Sequence, residues 1–293
     1  MHLQMIIPLT VQGLAMGIVY AFLGIGLILL IRAVGVLNFA QGDLLMLGAY
    51  ITAMLTLDFN APLIVMFFVS LIMLAISAAV FMYTCYVPVR NSKWPAAALI
   101  CTLGASMVIR EGLILIFSAQ PRMVPPLIRG LIRIGDGGAI IEWQYIAIAV
   151  IGALVIAGVF ILFDKAYCGK VMQAAAQNRY AGQLLGIPID LTILATYIIV
   201  VVVAGIGGYL VAPLFLVSPV LGVMQLRAFA GVIIGGMGSL KGAVIGSLIV
   251  GLIETHSLHF TTQYRDVVIF GALILMLAIR PQGLFGESIA EKA

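Results

Sequence analysis

The sequence predicts an all-α fold, a polytopic transmembrane helical bundle with about eight or nine membrane helices and a discontinuous Gly-rich element near 219–241. Three observations carry that prediction. The 293 residues are 63% hydrophobic and only 9% charged, whereas a soluble domain runs about 45–50% apolar and about 25% charged. Mean hydropathy is +1.23, so apolar character extends through the chain. Uncharged runs also recur at the length needed to cross a hydrocarbon core of about 30 Å at a rise of about 1.5 Å per residue. The chain therefore reads as a single transmembrane domain, 1–293.

The runs follow in order. Leu3–Ile31 carries no charge and is the first span. It lacks the basic n-region of a signal peptide, so it reads as retained. Asn38–Leu57 is broken only by Asp43, and Pro62–Val87 is uncharged. Trp94–Phe117 is interrupted by Arg110 and Glu111, and Trp143–Phe163 is clean. Leu191–Ala212 is the sixth run. Beyond it lie Phe215–Gly238, with Pro219 and Arg227, then Ala243–Ile253 and Val267–Ile279. Short apolar pieces interrupted by Gly or Pro are the pattern of half-helices lining a cavity.

Two segments are too polar to span. Residues 118–142 contain Arg122, Arg129, Arg133, Asp136 and three prolines, and read as an extramembrane loop. Residues 164–190, DKAYCGKVMQAAAQNRYAGQLLGIPID, are Ala-rich and end in Gly-Ile-Pro. They predict one or two short helices outside the bilayer. With five spans before it, this segment shares a side with Arg32, Arg90, Lys93, Lys165, Lys170 and Arg179. The positive-inside rule makes that side cytoplasmic. The N-terminus is then periplasmic, and Arg280 after the last apolar run suggests a cytoplasmic C-terminus.

The net charge of +4 comes from basic residues scattered singly between apolar runs. A nucleic-acid binder clusters them on one face, so nucleic acid is not an expected partner; the lipid bilayer is. Cys85, Cys101 and Cys168 share no short spacing. They read as plain buried thiols, neither a disulfide framework nor a metal site.

Glycine makes up 32 residues. Gly13/Gly17, Gly231/Gly235 and Gly242/Gly246 have the small-xxx-small spacing that lets helix backbones approach closely in lipid. Gly235, Gly236 and Gly238 are the packing candidates in the broken element.

Three segments bear on function. In VLNFAQGDLLMLGAY (36–50), Asn38, Gln41 and Asp43 stand at the start of a membrane helix. They read either as a cap plus an interfacial acid meeting the helix dipole, or as solute contacts. In AAAQNRYAGQLLGI (174–187), Leu184, Leu185 and Ile187 bunch before Pro188, which favours a docking helix over a solvated loop. In LRAFAGVIIGGMGSLKGAVIGSLIVGLIE (226–254), GGMGSLKG fails as a phosphate loop, because Lys241 follows Leu240 and precedes Gly242. The chain carries no nucleotide motif, so any ATP is bound by another subunit.

Arg110 and Glu111 are adjacent, and so about 100° apart on a helix. Either one lines a cavity while the other pairs across an interface, or both sit near the membrane edge. Glu254 and His256 read as interfacial rather than as a proton relay.

These three segments, in this order, together with YVPVRNSKWPAAALICTLG (86–104) and YRDVVIFGALILMLAIRPQGLFG (264–286), resemble the permease subunits of branched-chain amino acid ABC importers, in particular the H-type subunit. The resemblance covers nearly the whole chain. It implies a bacterial inner-membrane permease domain with no bound cofactor. It also implies a second homologous permease subunit in a heterodimer, two cytoplasmic ATP-binding subunits and a periplasmic solute-binding protein. Segment 165–189 would be the cytoplasmic coupling segment, with Asn178, Arg179, Leu184, Leu185, Gly186 and Ile187 at the ATPase contact. Members often have His and Glu where this chain has Gln41 and Asp43, which leaves the solute role of that pair open.

The expected function is therefore a non-catalytic transport subunit moving branched-chain or related amino acids, with Asn38, Gln41, Asp43, Arg110 and Glu111 as pathway candidates. The alternatives are a permease of the same family for urea, amides or small organic acids, and an ion-coupled secondary transporter. An intramembrane enzyme would need paired acids or a Ser–base set within the bilayer, and the sequence places no such pair together.

Overall fold

The structure is a computed structural model describing residues 2–92, 94, 96–134, 139–260 and 264–286. Lys93 and Asp136, which entered the charge assignments above, lie outside the described residues. Eleven α-helices occur among the described residues. They are α1 (His2–Val34), α2 (Gln41–Ala53), α3 (Leu63–Phe81), α4 (Ala97–Phe117), α5 (Trp143–Asp164), α6 (Tyr167–Gln177), α7 (Arg179–Leu184), α8 (Ile189–Val211), α9 (Met224–Gly235), α10 (Leu240–Phe260) and α11 (Arg265–Ile279). Helices α6 and α7 fall in the polar segment; the other nine follow the nine apolar runs.

Among the described residues, five helical stretches are long and apolar enough to cross a bilayer: Ile6–Val34, Leu63–Tyr86, Ala97–Phe117, Trp143–Asp164 and Ile189–Val211. The second continues α3 through a π-turn, Met82–Tyr86. Others are short. Helix α2 has 13 residues, extended by a π-turn at Met54–Asp58. Helix α9 has 12, preceded by a 3-10 turn at Pro219–Val223. At about 1.5 Å per residue neither α-helical piece reaches 30 Å. The discontinuous element is therefore the 3-10 turn, α9 and a break at 236–239 before α10.

Residues 118–142 are not wholly irregular. Strands β1 (Leu131–Ile134) and β2 (Ala139–Glu142) pair antiparallel, with Ile132 opposite Ile141 and Arg133 opposite Ile140.

The chain divides into two compact units. The first comprises Met1–Ile28, Pro126–Ala153 and Met224–Ala293; the second comprises Leu29–Pro125 and Leu154–Val223.

In the first unit the small-xxx-small pairs mesh. A Cβ on Gly235 would overlap the Gly242 carbonyl, and one on Gly246 the Gly231 carbonyl, so α9 and α10 touch backbone to backbone. Gly13 and Gly17 of α1 meet α10 in the same way near Gly251, Leu248 and Thr255. Gly236 turns the chain out of α9 at φ +107, a left-handed conformation that glycine accepts without strain. Gly238 corrects one packing assignment: apart from its chain neighbours, no atom lies within 4 Å of where its Cβ would stand.

In the second unit, α2 is its most enclosed helix and packs on α8 through Gly48, Gly205 and Gly208. Helices α3 and α4 cover it only in part and leave large apolar residues exposed, among them Phe68, Val108 and Leu115. Such faces suit lipid or another membrane subunit. The thiols differ from the uniform expectation: Cys85 is buried, Cys101 is half-buried, and Cys168 on α6 is exposed. Helix α6 carries its apolar residues on one side only, which leaves Cys168 outside.

The candidate substrate path and coupling segment

The start of α2 is a polar pocket built from its own sequence. The helix begins at Gln41, and Ala40 rather than Asn38 stands at its N-cap position. Asn38 shapes the turn before it: its Oδ1 accepts from Ala40 N at 3.0 Å, and its Nδ2 donates to Gln41 Oε1 at 3.2 Å. Gln41 in turn donates to the Val200 carbonyl of α8 at 3.5 Å. Asn38 and Gln41 are both buried.

Asp43 is buried and paired. Its side chain is 3% exposed and is met by two groups of α4. Ser106 donates a short hydrogen bond to Oδ2, and Arg110 donates to Oδ1 at 3.3 Å. The far end of the same helical stretch, Asp58, pairs with Arg122 at 2.8 Å. Fifteen residues of helix put Asp43 roughly 20 Å from that end, within the about 30 Å that a hydrocarbon core spans. A carboxylate at that depth needs a partner, and Arg110 supplies it. The third neighbour is backbone: Gly222, in the 3-10 turn, stands so close that a Cβ there would lie 2.6 Å from Asp43 Oδ1.

Arg110 is only partly consumed by this pairing. Its side chain is 39% exposed, and its Nε is buried with no hydrogen-bond partner among the described residues. The structure thus joins Asn38, Gln41, Asp43 and Arg110 around the foot of α2. It does not join Glu111, which is exposed and forms no ion pair among the described residues. Of the two residues about 100° apart, Arg110 turns toward α2 and pairs with Asp43, and Glu111 is exposed.

The polar segment folds as α6 and α7. Asn178 caps α7, its side chain accepting from Ala181 N at 3.0 Å. Gly186, at φ +78, ends the helix in the left-handed conformation common after helix C-termini. Arg179 donates to the Ala33 carbonyl at 3.2 Å, tying α7 to the end of α1. Arg90 pairs with Asp190 at 2.7 Å. The ends of α1 and α3 and the start of α8 therefore lie at one end of the unit with α6 and α7, while Arg122 and Asp58 mark the other. The candidate coupling residues divide by this geometry. Leu184 and Leu185 are 72% and 81% exposed, Ile187 folds back toward Gly182, and Asn178 and Gly186 set the shape.

One cluster was missed. In the first unit Glu254 is 3% exposed. It accepts from the Tyr20 hydroxyl and pairs with Arg227 at 3.1 Å and Arg265 at 3.3 Å. Arg227 also pairs with Asp266 at 3.0 Å. Four helices meet there: α1, α9, α10 and α11. His256, half-buried, contacts the Leu252 carbonyl with Nδ1 at 2.9 Å. The only signal in the sequence was that Arg227, Glu254 and Arg265 each interrupt or adjoin an apolar run.

A multi-helix membrane protein with a buried acid–guanidinium pair beside a broken helix has the architecture of a solute permease. The profile of the family described as branched-chain amino acid transport system / permease component matches residues 9–277, and the chain belongs to that family. It is 30% identical over 297 residues to the high-affinity branched-chain amino acid transport system permease protein BraD of Pseudomonas aeruginosa, covering 96% of each chain. It is 31% identical over 295 residues to the corresponding permease protein LivH of Escherichia coli K12, again covering 96% of each. A solved structure, PsaBC from Streptococcus pneumoniae in complex with Fab, is more distant, at TM-score 0.47 and 15% identity over 93% of this chain and 87% of that one.

Proposed function

We propose that this chain is the membrane-spanning, non-catalytic subunit of an ATP-driven importer for branched-chain or related amino acids. The observation that carries the reading is the end-to-end relation to permease proteins of that transport class, at 96% of both lengths. The whole chain acts as one permease domain in a bacterial inner membrane, with its N-terminus periplasmic and its C-terminus cytoplasmic. It binds no cofactor. Two cytoplasmic subunits hydrolyse ATP, a second homologous permease completes a heterodimer, and a periplasmic binding protein delivers the solute.

In this mechanism Arg110 offers a carboxylate-binding group held in place by Asp43 and Ser106. Asn38 and Gln41 brace the foot of α2. ATP-driven closure of the partner subunits moves α6 and α7, and the Arg179 tie to the Ala33 carbonyl passes that motion to α1. The capture of Asp43 by Ser106 and Arg110 supports this reading over an ion-coupled carrier, which needs a carboxylate available to its coupling ion. Urea, amides and small organic acids remain the alternative cargoes within the family.

Gentle purification of the tagged chain from its native membrane, with mass spectrometry of what accompanies it, tests the assembly. Two ATP-binding proteins and a second permease are expected. Leu185→Asp, which puts a charge on the exposed apolar tip of the coupling segment, is expected to lose the ATP-binding proteins and keep the second permease. A chain that purifies alone contradicts the proposal.

A further inference from the structure

The charge cluster of the first unit is built so that its central contacts are shared. Glu254 of α10 is the centre. Its Oε2 accepts from the Tyr20 hydroxyl of α1. Its Oε1 faces two guanidinium groups, Arg227 Nη1 of α9 at 3.1 Å and Arg265 Nη1 of α11 at 3.3 Å. Arg227 is shared in turn: its Nε and Nη2 donate to Asp266 Oδ1 at 3.3 and 3.0 Å. Glu254 therefore has two cations, and Arg227 has two acids. Glu254 lies deepest, the Arg227 side chain is 11% exposed, and the Asp266 side chain is 60% exposed.

The large penalty at a buried charge comes from removing its only partner. Here either arginine can leave Glu254 while the other stays on the same oxygen. Arg227, on leaving, still has the exposed Asp266 within reach. The contact between Arg227 and Glu254 can thus be made and broken without stranding a charge in the interior. The helix that carries Arg227 is also held unevenly. The far half of α9 is locked backbone to backbone on α10 at Gly231 and Gly235. Its first turn, Met224–Arg227, contains no glycine, and Arg227 ties it to α10 and α11. That turn continues directly from the 3-10 turn in which Gly222 stands against Asp43.

We propose that this cluster is an exchange latch on the first turn of α9: Arg227 holds the turn on α10 and lets go during each transport cycle, while Arg265 and Tyr20 keep Glu254 compensated and Asp266 receives Arg227. The inference rests on the transport role proposed above. Arg265 and Asp266 are positioning residues, the first a spare partner for Glu254 and the second for Arg227. Release lets the first turn shift about the fixed glycine contact. The 3-10 turn shifts with it, because the chain is continuous, and Gly222 is the backbone wall beside Asp43. Two discrete pairings of one set of side chains supply the bistable element that a gating step requires.

The test uses the complete complex, with its ATP-binding subunits, second permease and leucine-loaded binding protein, in proteoliposomes. Cys85, Cys101 and Cys168 are replaced by serine, and one cysteine is then introduced at either end of α9. Met224→Cys lies in the first turn and Ile234→Cys in the locked half, both at buried positions. Modification by a small methanethiosulfonate is timed at rest and during ATP turnover. Turnover is expected to speed modification at 224 and not at 234. Arg265→Gln is expected to remove that acceleration and slow leucine uptake roughly tenfold, since release then leaves Glu254 without its spare cation. Its thermal midpoint is expected to match wild type, because Arg227 and Tyr20 still hold Glu254 at rest, and Arg265→Lys is expected to restore uptake. ATP-driven uptake with no acceleration at 224, or with equal acceleration at both positions, overturns the latch alone. So does an Arg265→Gln complex that transports at the wild-type rate, or one whose midpoint and uptake fall together without rescue by lysine, the result for a static staple. Failure of ATP-driven leucine uptake by the wild-type complex overturns the proposed function as well.

Discussion

Asp43 and Arg110 are 67 positions apart in the chain and form one ion pair in the fold. Removing one member of a buried ion pair leaves the other uncompensated, at a cost of about 3–5 kcal/mol. Arg110→Gln is therefore expected to lower the thermal midpoint of the detergent-solubilised protein sharply. Asp43→Asn in the same chain is expected to recover most of that loss, because both charges are then gone. Uptake is expected to remain impaired in the double variant, which has no guanidinium to offer the solute; full recovery of uptake would make the pair purely structural. Glu254 is the stricter case, since it faces two arginines. Glu254→Gln leaves Arg227 and Arg265 with reduced compensation, and a loss of similar size, about 3–5 kcal/mol, is expected in thermal unfolding. Sequence reading identified Asp43 and Arg110 as anomalies but could not pair them. Polarity within an apolar run is visible in one dimension, whereas the partner is chosen by the packing of α2 against α4. The cap assigned to Asn38 failed for a related reason. Its carboxamide is drawn into the turn and to Gln41, which starts the helix later.

At the scale of elements, backbone contact between helices is the main device. Gly235 and Gly242 face each other closely enough that neither tolerates a side chain without displacement. Gly235→Val is expected to yield little monodisperse protein in size-exclusion chromatography, since overpacking costs roughly 1–3 kcal/mol even where neighbours can shift and backbone cannot. Gly238→Ala, at a position with open space, is expected to behave as wild type. The small-xxx-small spacings made the first group legible in advance. The Gly48, Gly205 and Gly208 contacts between α2 and α8 were not, because single glycines in long apolar runs give no partner. The spans themselves followed hydropathy closely, since a bilayer leaves helices few alternatives. Strands β1 and β2 went unread, although Gly-Asp-Gly-Gly between two short apolar runs is a hairpin signal. The prolines upstream had turned the reading toward irregular chain.

For the whole molecule, the proposed coupling segment and the proposed solute contacts lie apart within the second unit. One end carries α6 and α7 with the exposed Leu184 and Leu185, tied to α1 by Arg179, and beside them Arg90, after α3, pairs with Asp190 of α8. Toward the middle lies Asp43 with Arg110, beside the 3-10 turn. A transporter needs this separation, because the energy enters at one place and the solute passes at another. In the proposed function, ATP hydrolysis by partner subunits drives the solute through this chain. This is tested most directly by uptake of radiolabelled leucine into proteoliposomes containing the full complex, with ATP supplied to the ATPase side and the binding protein on the opposite side. Accumulation that requires ATP, requires this chain, and is unaffected by collapsing ion gradients is the predicted result. Accumulation that proceeds without ATP and follows an imposed ion gradient would contradict it.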